Sequence, residues 1–363
     1  MVKFTIYTGG YTSFIVSYLF DTQTASLTYL DTIATTPDPS WITPHPTNPT
    51  LIYAVNEVAP LGALQVYETT PGGGLTLLDQ ISSGGNGPAF CAPLSTGQVA
   101  IMNYGSGNGE IIPTVNGGTK FDNSTTVLVT FPPPFNGTSN PHMAYEHGNE
   151  VFVPDLVSSA ETKSGVLVAR VAQATSASTG LFPSLWAQAH VTWLFSTTRS
   201  TSCTKLPTSS PHSLSLPTLT APSPPEFLAN ATTVPDDVPA GGTYAAAELL
   251  LSPTSLEYPH PYLYASNRNI GGTPDPRGDS IAIFDPISKP ELALVKQVFT
   301  GLVEIRGMEL GLGEVGESYL VAMGAVSGGM VIYKRTDGGK DLVEVARNSS
   351  AVPRTSAVMR AVL

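Results

Sequence analysis

Along most of this chain apolar and small or polar residues alternate with a period of two, in short runs closed by Gly, Pro, Asn or Asp, which predicts strands joined by tight turns. The stretch EYPHPYLYASNRNIGGTPDPRGDSIAIFDP (257–286) shows the unit most clearly. Its alternation predicts a strand over Tyr262–Ser266, a polar loop holding Arg268, and a second strand over Ser280–Asp285. Gly271, Gly272, Pro274 and Pro276 exclude a helix between them.

A strand of the first kind recurs as FTIYTGG, LIYAVNE, QVAIMNY, EVFVPDL, YLYASNR and YLVAMGA. Its centres (Tyr7, Tyr53, Ala100, Phe152, Tyr264 and Val321) are about 46, 47, 52, 112 and 57 residues apart. Periods near 45–50 signal a propeller or solenoid, and the long interval is about twice the others, leaving room for one hidden unit. A strand of the second kind follows each: FIVSYLFD, ALQVYET, GEIIPTV, GVLVARV, SIAIFDP and GMVIYKR. Six visible units and one hidden predict an all-β, seven-bladed propeller filling 1–363 as a single domain, its N-terminal strand closing the ring with C-terminal ones. Radial repetition of sheets is what lets so strand-rich a chain hide its edges.

Composition agrees: 34 Gly, 32 Pro and only 12% charged residues suit many short strands and turns. A net charge of -11 argues against nucleic acid and anionic membranes as partners, and it requires a local basic pocket for any anionic substrate. No apolar run approaches the roughly 20 residues of a membrane span, which predicts a soluble protein. FTIYTGGYT lacks the apolar core of a secretory signal, so a cytoplasmic location is expected, with secretion as the runner-up from sequons at Asn123, Asn136, Asn230 and Asn348. Cys91 and Cys203 form neither a metal spacing nor a disulfide framework.

The pattern fails over 157–225. FSTTRSTSCTKLPTSSPHSLSLPTLTAPSPP (195–225) has no strand where a blade is due, and its bland reading is a Ser/Thr/Pro-rich insertion. The sharper reading is a frame-shifted or mis-spliced translation. Permitted codons for Gln188–Ser210, read from the last base of the first codon, yield GPRDVAVFNDTLYVLHEATNFL, which has the missing alternation. The damaged blade is then the fourth or fifth.

With these units in hand, the chain resembles the seven-bladed propeller lactonase family, which includes 6-phosphogluconolactonase of the bacterial propeller type and fungal 3-carboxy-cis,cis-muconate cyclase. YTGGYT, WITPHPTNPTLIYAVNE, NPHMAYEHGNEVFVPDL, YLYASNRN with DPRGDSIAIFD, and RGMELGLGEVGESYLVAMG carry the resemblance. It implies lactone-ring opening or closing on a small anionic substrate, without metal or other cofactor, at a channel-mouth site. That site combines a His after Pro, an Arg after Gly-Pro, a Glu from the following strand end and an Arg after Ser-Asn. His142 and Arg268 match the first and last as catalytic residues. The middle two have no counterpart as translated and would lie in the shifted frame. Half a site leaves open a second class, a non-catalytic propeller that binds a ligand or partner.

The chemistry explains these residue types. Lactone opening moves charge onto a carbonyl or carboxylate oxygen, which fixed cationic donors stabilise, and an Arg grips a carboxylate or phosphate with paired hydrogen bonds. A His or Glu then moves the proton. Glu57, Asn103, Tyr104 and Arg306 fall at or near strand ends facing the proposed channel and are candidate substrate contacts; tight-turn hydrogen bonding is the alternative for the first three. For Arg268 the alternative is an ion pair with Asp275 or Asp279, and for His142 satisfaction of backbone groups. His147 reads as a structural or exposed turn residue. The six His show no HExxH or similar spacing, and no metal is invoked. Oligomeric state leaves no mark on the sequence.

Overall fold

The predicted strand pairs form as antiparallel ladders. Phe14–Asp21, Ala63–Thr70, Asn108–Val115, Ser280–Asp285 and Met330–Thr336 each lie beside the recurring strand before them. The computed structural model describes residues 2–131, 137–147, 150–154, 168–172, 213–218, 226–288 and 292–362. Seven sheets occur among them, the blades of an all-β propeller; five have four or five strands, the fourth has three and the fifth has two. Most of 157–225 lies outside the described residues, and with it the reading of that segment as a translation in the wrong frame; a correction to the strandless stretch expected over 195–225 is the strand Ser213–Thr218, which pairs antiparallel with Glu226–Thr232.

The first, second, third, sixth and seventh blades each gain at least two strands beyond the pair legible in sequence. An inner strand precedes it (Ile42–Pro44, Pro88–Pro93, Thr243–Leu251, Val303–Leu310) and an outer strand follows (Ser26–Ala34, Gly74–Ser82, Ala293–Phe299, Asp341–Asn348). The middle strands are buried on both faces, Leu51–Asn56 along its whole length, because each blade packs between two others. Their alternation is therefore of aromatic against small or branched side chains. The outer strands carry the polar alternation and face solvent.

The core accordingly sits between blades. Phe4, Val16 and Phe20 of the first blade meet Val321, Met323 and Ile332 of the seventh. Tyr53 and Val66 of the second meet Val99 and Ile101 of the third. A repeated device fixes neighbours in register: Tyr53 donates its hydroxyl proton to Gly118 O of the next blade at 3.1 Å, and Tyr264 donates to Gly339 O at 2.7 Å. Both acceptors end a Gly-Gly turn at φ of +92° and +102°, which glycine adopts without strain. Replacing Ile332, fully buried at the junction of first and seventh blades, by Ala is expected to cost about 2–5 kcal/mol, seen as a lower urea midpoint at unchanged slope.

The ring closes between distant parts of the chain. Ser356–Ala361 is the inner strand of the first blade, paired antiparallel with Lys3–Gly9 from Phe4↔Ala361 to Gly9↔Ser356. Among the described residues no helix is long and apolar enough to cross a membrane.

Candidate functional site

The inner strands are irregular where they carry functional side chains. In Val303–Leu310 the register slips twice, and Arg306 is the extra residue between the pairs Ile305↔Gly324 and Gly307↔Met323. Glu304, just before it, has a φ of +57°. Such bulges re-aim a side chain, here so that Arg306 meets the ring of Tyr11.

Arg268 lies within a strand, a correction to the loop expected for it. The ladder with Thr243–Leu251 continues through Ala245↔Arg268 to Thr243↔Gly271. Neither structural alternative for Arg268 holds. Asp275 is taken by Arg277 at 2.7 Å, and Asp279 accepts the backbone N–H groups of Asn269 and Glu304. Arg268 donates from Nη2 to Ala246 O at 3.3 Å, while its buried Nε has no partner.

His142 is anchored through its backbone, its N–H donating to Pro154 O at 3.1 Å, so the imidazole is free for other work. The ring meets Tyr104 edge-on with centroids 5.6 Å apart. Tyr104 is held in turn by its own N–H on Gly87 O and by Asn140, which donates to Tyr104 O at 2.8 Å. Opposite them, Glu57 accepts hydrogen bonds from Ser40 Oγ and, at 3.4 Å, from the Tyr11 hydroxyl. The Arg306 guanidinium carbon lies 5.1 Å from the centroid of the Tyr11 ring.

Electrostatics tie these groups together. Burial, then the Arg306 and Arg268 charges, holds the His142 imidazole down to about 4. Sequence chemistry expects titration near neutrality; in place, the ring is neutral there. Arg268 is lowered to about 10, by burial first and the charge of Arg306 second. Burial also raises the Glu57 carboxyl, against the lowering effects of Ser40, Arg306 and Tyr11. Two further carboxyls stand on the inner strands. Burial lifts Glu309 to about 8, and Glu248 goes well above the ordinary range through burial and the nearby Glu309 charge. Burial thus disfavours the charged form of these acids, beside the Arg268–Arg306 pair, in a protein of net charge -11.

Of the sequence candidates, the structure links His142, Tyr104, Arg268, Arg306 and Glu57 through contacts and mutual charge effects. Asn103 stands apart: it is fully buried, and its Nδ2 donates to Ser83 O at 2.7 Å. Asn56 does the same one blade earlier, donating to Pro37 O. The strand-end Asn is thus a loop-holding repeat, the tight-turn alternative to a substrate contact. Tyr11 and Ser40 join the group without having stood out in the sequence as site residues. The one signal was the presence of Tyr11 in a Gly-Gly-Tyr turn, where an aromatic has little reason to be. The side chain of His147 lies outside the described residues. Among the described residues no group of three or more His, Cys, Asp and Glu converges as a metal site would need.

The lowered His142 sets a pH dependence of stability. The unfolded ring binds its proton near 6.5 and the folded ring only near 4, so the native state is favoured above 6.5 and loses this contribution as pH falls toward 4. His142→Gln should flatten the fall in melting temperature between about pH 6.5 and 4, on the order of 2 kcal/mol after allowance for water in the channel.

Residues 4–158 match the family model described as lactonase, 7-bladed beta-propeller. Several solved structures share the fold over nearly the whole chain. The periplasmic gluconolactonase of Pseudomonas aeruginosa matches with a TM-score of 0.70 at 16% identity, covering 98% of this chain and 99% of that one. A protein from Bacteroides uniformis provisionally assigned as a 6-phosphogluconolactonase matches at 0.66 and 19% identity, over 99% and 100%. A Bacteroides fragilis protein with the same provisional assignment matches at 0.67 and 16%, over 99% and 98%. At these identities the likeness is one of fold. No curated protein matches the chain.

Proposed function

We propose that the channel mouth of this chain, whose residues 4–158 match the model of the seven-bladed β-propeller lactonases, performs lactone-ring chemistry on a small anionic substrate. One observation carries this reading: Arg268 and Arg306 are near enough that each is felt electrostatically by His142 and Arg306 depresses Arg268, yet neither forms an ion pair among the described residues. Confined like charges cost free energy until an anion arrives, and such unneutralised pairs mark binding sites more often than structural ones.

A carboxylate or phosphate of the substrate would lie between the guanidinium groups, and the same donors would stabilise the oxyanion that forms as the lactone carbonyl is attacked. The neutral imidazole of His142 is the base that accepts a proton from the attacking water, and binding of an anion, by offsetting the two Arg charges, would strengthen it as a base. The finer choice lies between hydrolysis of a phosphorylated sugar lactone and cycloisomerisation of a carboxymuconate. A non-catalytic, ligand-binding propeller is the second reading, favoured by the lack of the Gly-Pro-Arg and following Glu in the chain as translated.

The test is an assay of the purified full chain with a phosphorylated six-carbon sugar lactone and with 3-carboxymuconate. A second chain, with 157–225 recoded in the alternative frame, is assayed beside it. Turnover by the first chain that is lost in Arg268→Met supports the reading. If neither chain turns over either compound, lactone chemistry on these substrates is excluded.

A further inference from the structure

Resting on that reading, the geometry points to Glu57 as the proton-donating carboxyl of the site and to the Tyr11 hydroxyl as the relay that carries its proton to the substrate. Ring opening needs an acid as well as a base. The bond from carbonyl carbon to ring oxygen breaks as water's oxygen bonds to that carbon, and the departing alkoxide must take a proton. His142 and the two arginines supply a base and charge but no acid. The His142 cation is disfavoured, and an Arg at about 10 holds its protons too firmly.

Glu57 meets the requirement by position. Its backbone N–H donates to Asp38 O at 2.9 Å, which fixes the strand end. One carboxyl oxygen is held by Ser40 Oγ, and the other faces the Tyr11 hydroxyl at 3.4 Å. Tyr11 is 45% exposed, an unusual place for an aromatic in a rigid loop, and its ring lies beneath Arg306. The loop is pinned on both sides. Gly10 N donates to Pro39 O at 2.9 Å, Thr355 N to Gly9 O at 2.9 Å, and the buried Arg354 to Thr12 Oγ1 at 2.9 Å. A phenol fixed between a sheltered carboxyl and a substrate-gripping guanidinium is built to pass a proton outward, because it can accept and donate at once. The charged groups facing Glu57 are Arg306 and Asp38, which act in opposite directions, and burial outweighs both in raising the carboxyl.

The step balances. The Tyr11 hydroxyl, which donates to Glu57 in the resting site, turns so that the protonated Glu57 carboxyl donates to its oxygen while the Tyr11 proton passes to the departing ring oxygen. The water proton goes to His142, and the imidazolium then returns it through solvent to the Glu57 carboxylate.

The experiment compares pH–rate profiles of the full chain with those of Tyr11→Phe, Glu57→Gln and Ser40→Ala on whichever of the two compounds it turns over. Tyr11→Phe and Glu57→Gln should each lower kcat about 100-fold with little change in KM, and Glu57→Gln should remove the alkaline fall in kcat. Ser40→Ala, by withdrawing a bond that favours the ionised carboxyl, should move that alkaline limb to higher pH. Should Glu57→Gln fail to fold, Tyr11→Phe and Ser40→Ala decide alone. Wild-type kcat in Tyr11→Phe, or an unmoved limb in Ser40→Ala, would overturn the relay while leaving the site's lactone chemistry intact. An inactive parent chain overturns both, and the difference shows in the parent.

Discussion

Replacing Arg306 by Ala is expected to lower kcat/KM about 100- to 1,000-fold without lowering the melting temperature. On the proposed reading, the activity loss follows from removing one of two donors to a developing oxyanion. Stability should hold or rise because the repulsion of Arg306 with Arg268, and its unfavourable effect on a protonated His142, offset its attraction for Glu57, and it stacks on the half-exposed Tyr11. A group kept against its electrostatic interest serves binding or chemistry. Steady-state kinetics and a thermal melt on the same preparation check both halves. A marked fall in melting temperature with activity kept would return Arg306 to a structural role.

Deleting Ser356–Ala361 should abolish cooperative folding. The deletion removes the inner strand of the first blade and every ladder pair from Phe4↔Ala361 to Gly9↔Ser356. It also removes the buried side chains of Val358 and Met359 from two inter-blade cores. Bonds that stitch the first two blades go too: Ser356 Oγ to Ser40 O at 2.9 Å and Arg360 to Leu51 O at 3.2 Å. Two buried apolar side chains alone are worth on the order of 5 kcal/mol, comparable with the whole stability of many domains. The bared edge of Lys3–Gly9 adds a route to aggregation. Circular dichroism melts and size-exclusion profiles would show it; a sharp transition near that of the full chain would mean the ring does not need this clasp.

Sequence made the middle strands of each blade legible because they obey period two: LIYAVN and SIAIFD appear as read. The inner strands did not stand out. PAFCAP carries two prolines and a register slip, ITP is three residues long, and VEIRGMEL is bulged twice. Those irregularities bend a channel wall and break the alternation that pattern reading depends on. The site was partly visible for the same reason. Arg268 lies in the continuation of a regular strand that could be counted, whereas the placement of Arg306 depends on bulges. The pairing of Tyr11 with Glu57 crosses between blades, and no local pattern records it. Asn103 misled because a strand-end Asn serves a turn as readily as a ligand, and only burial separates the two.

The clasp also bears on synthesis. The strand that completes the first blade is made about 320 residues after the first three strands of that blade, roughly 16 to 65 s later at ribosomal speeds. Throughout that interval Lys3–Gly9 has an unpaired edge and Phe4 and Ile6 lack their cover. Until Ser356–Ala361 is made, that bare edge is open to pairing with other strands, a long window for misassembly.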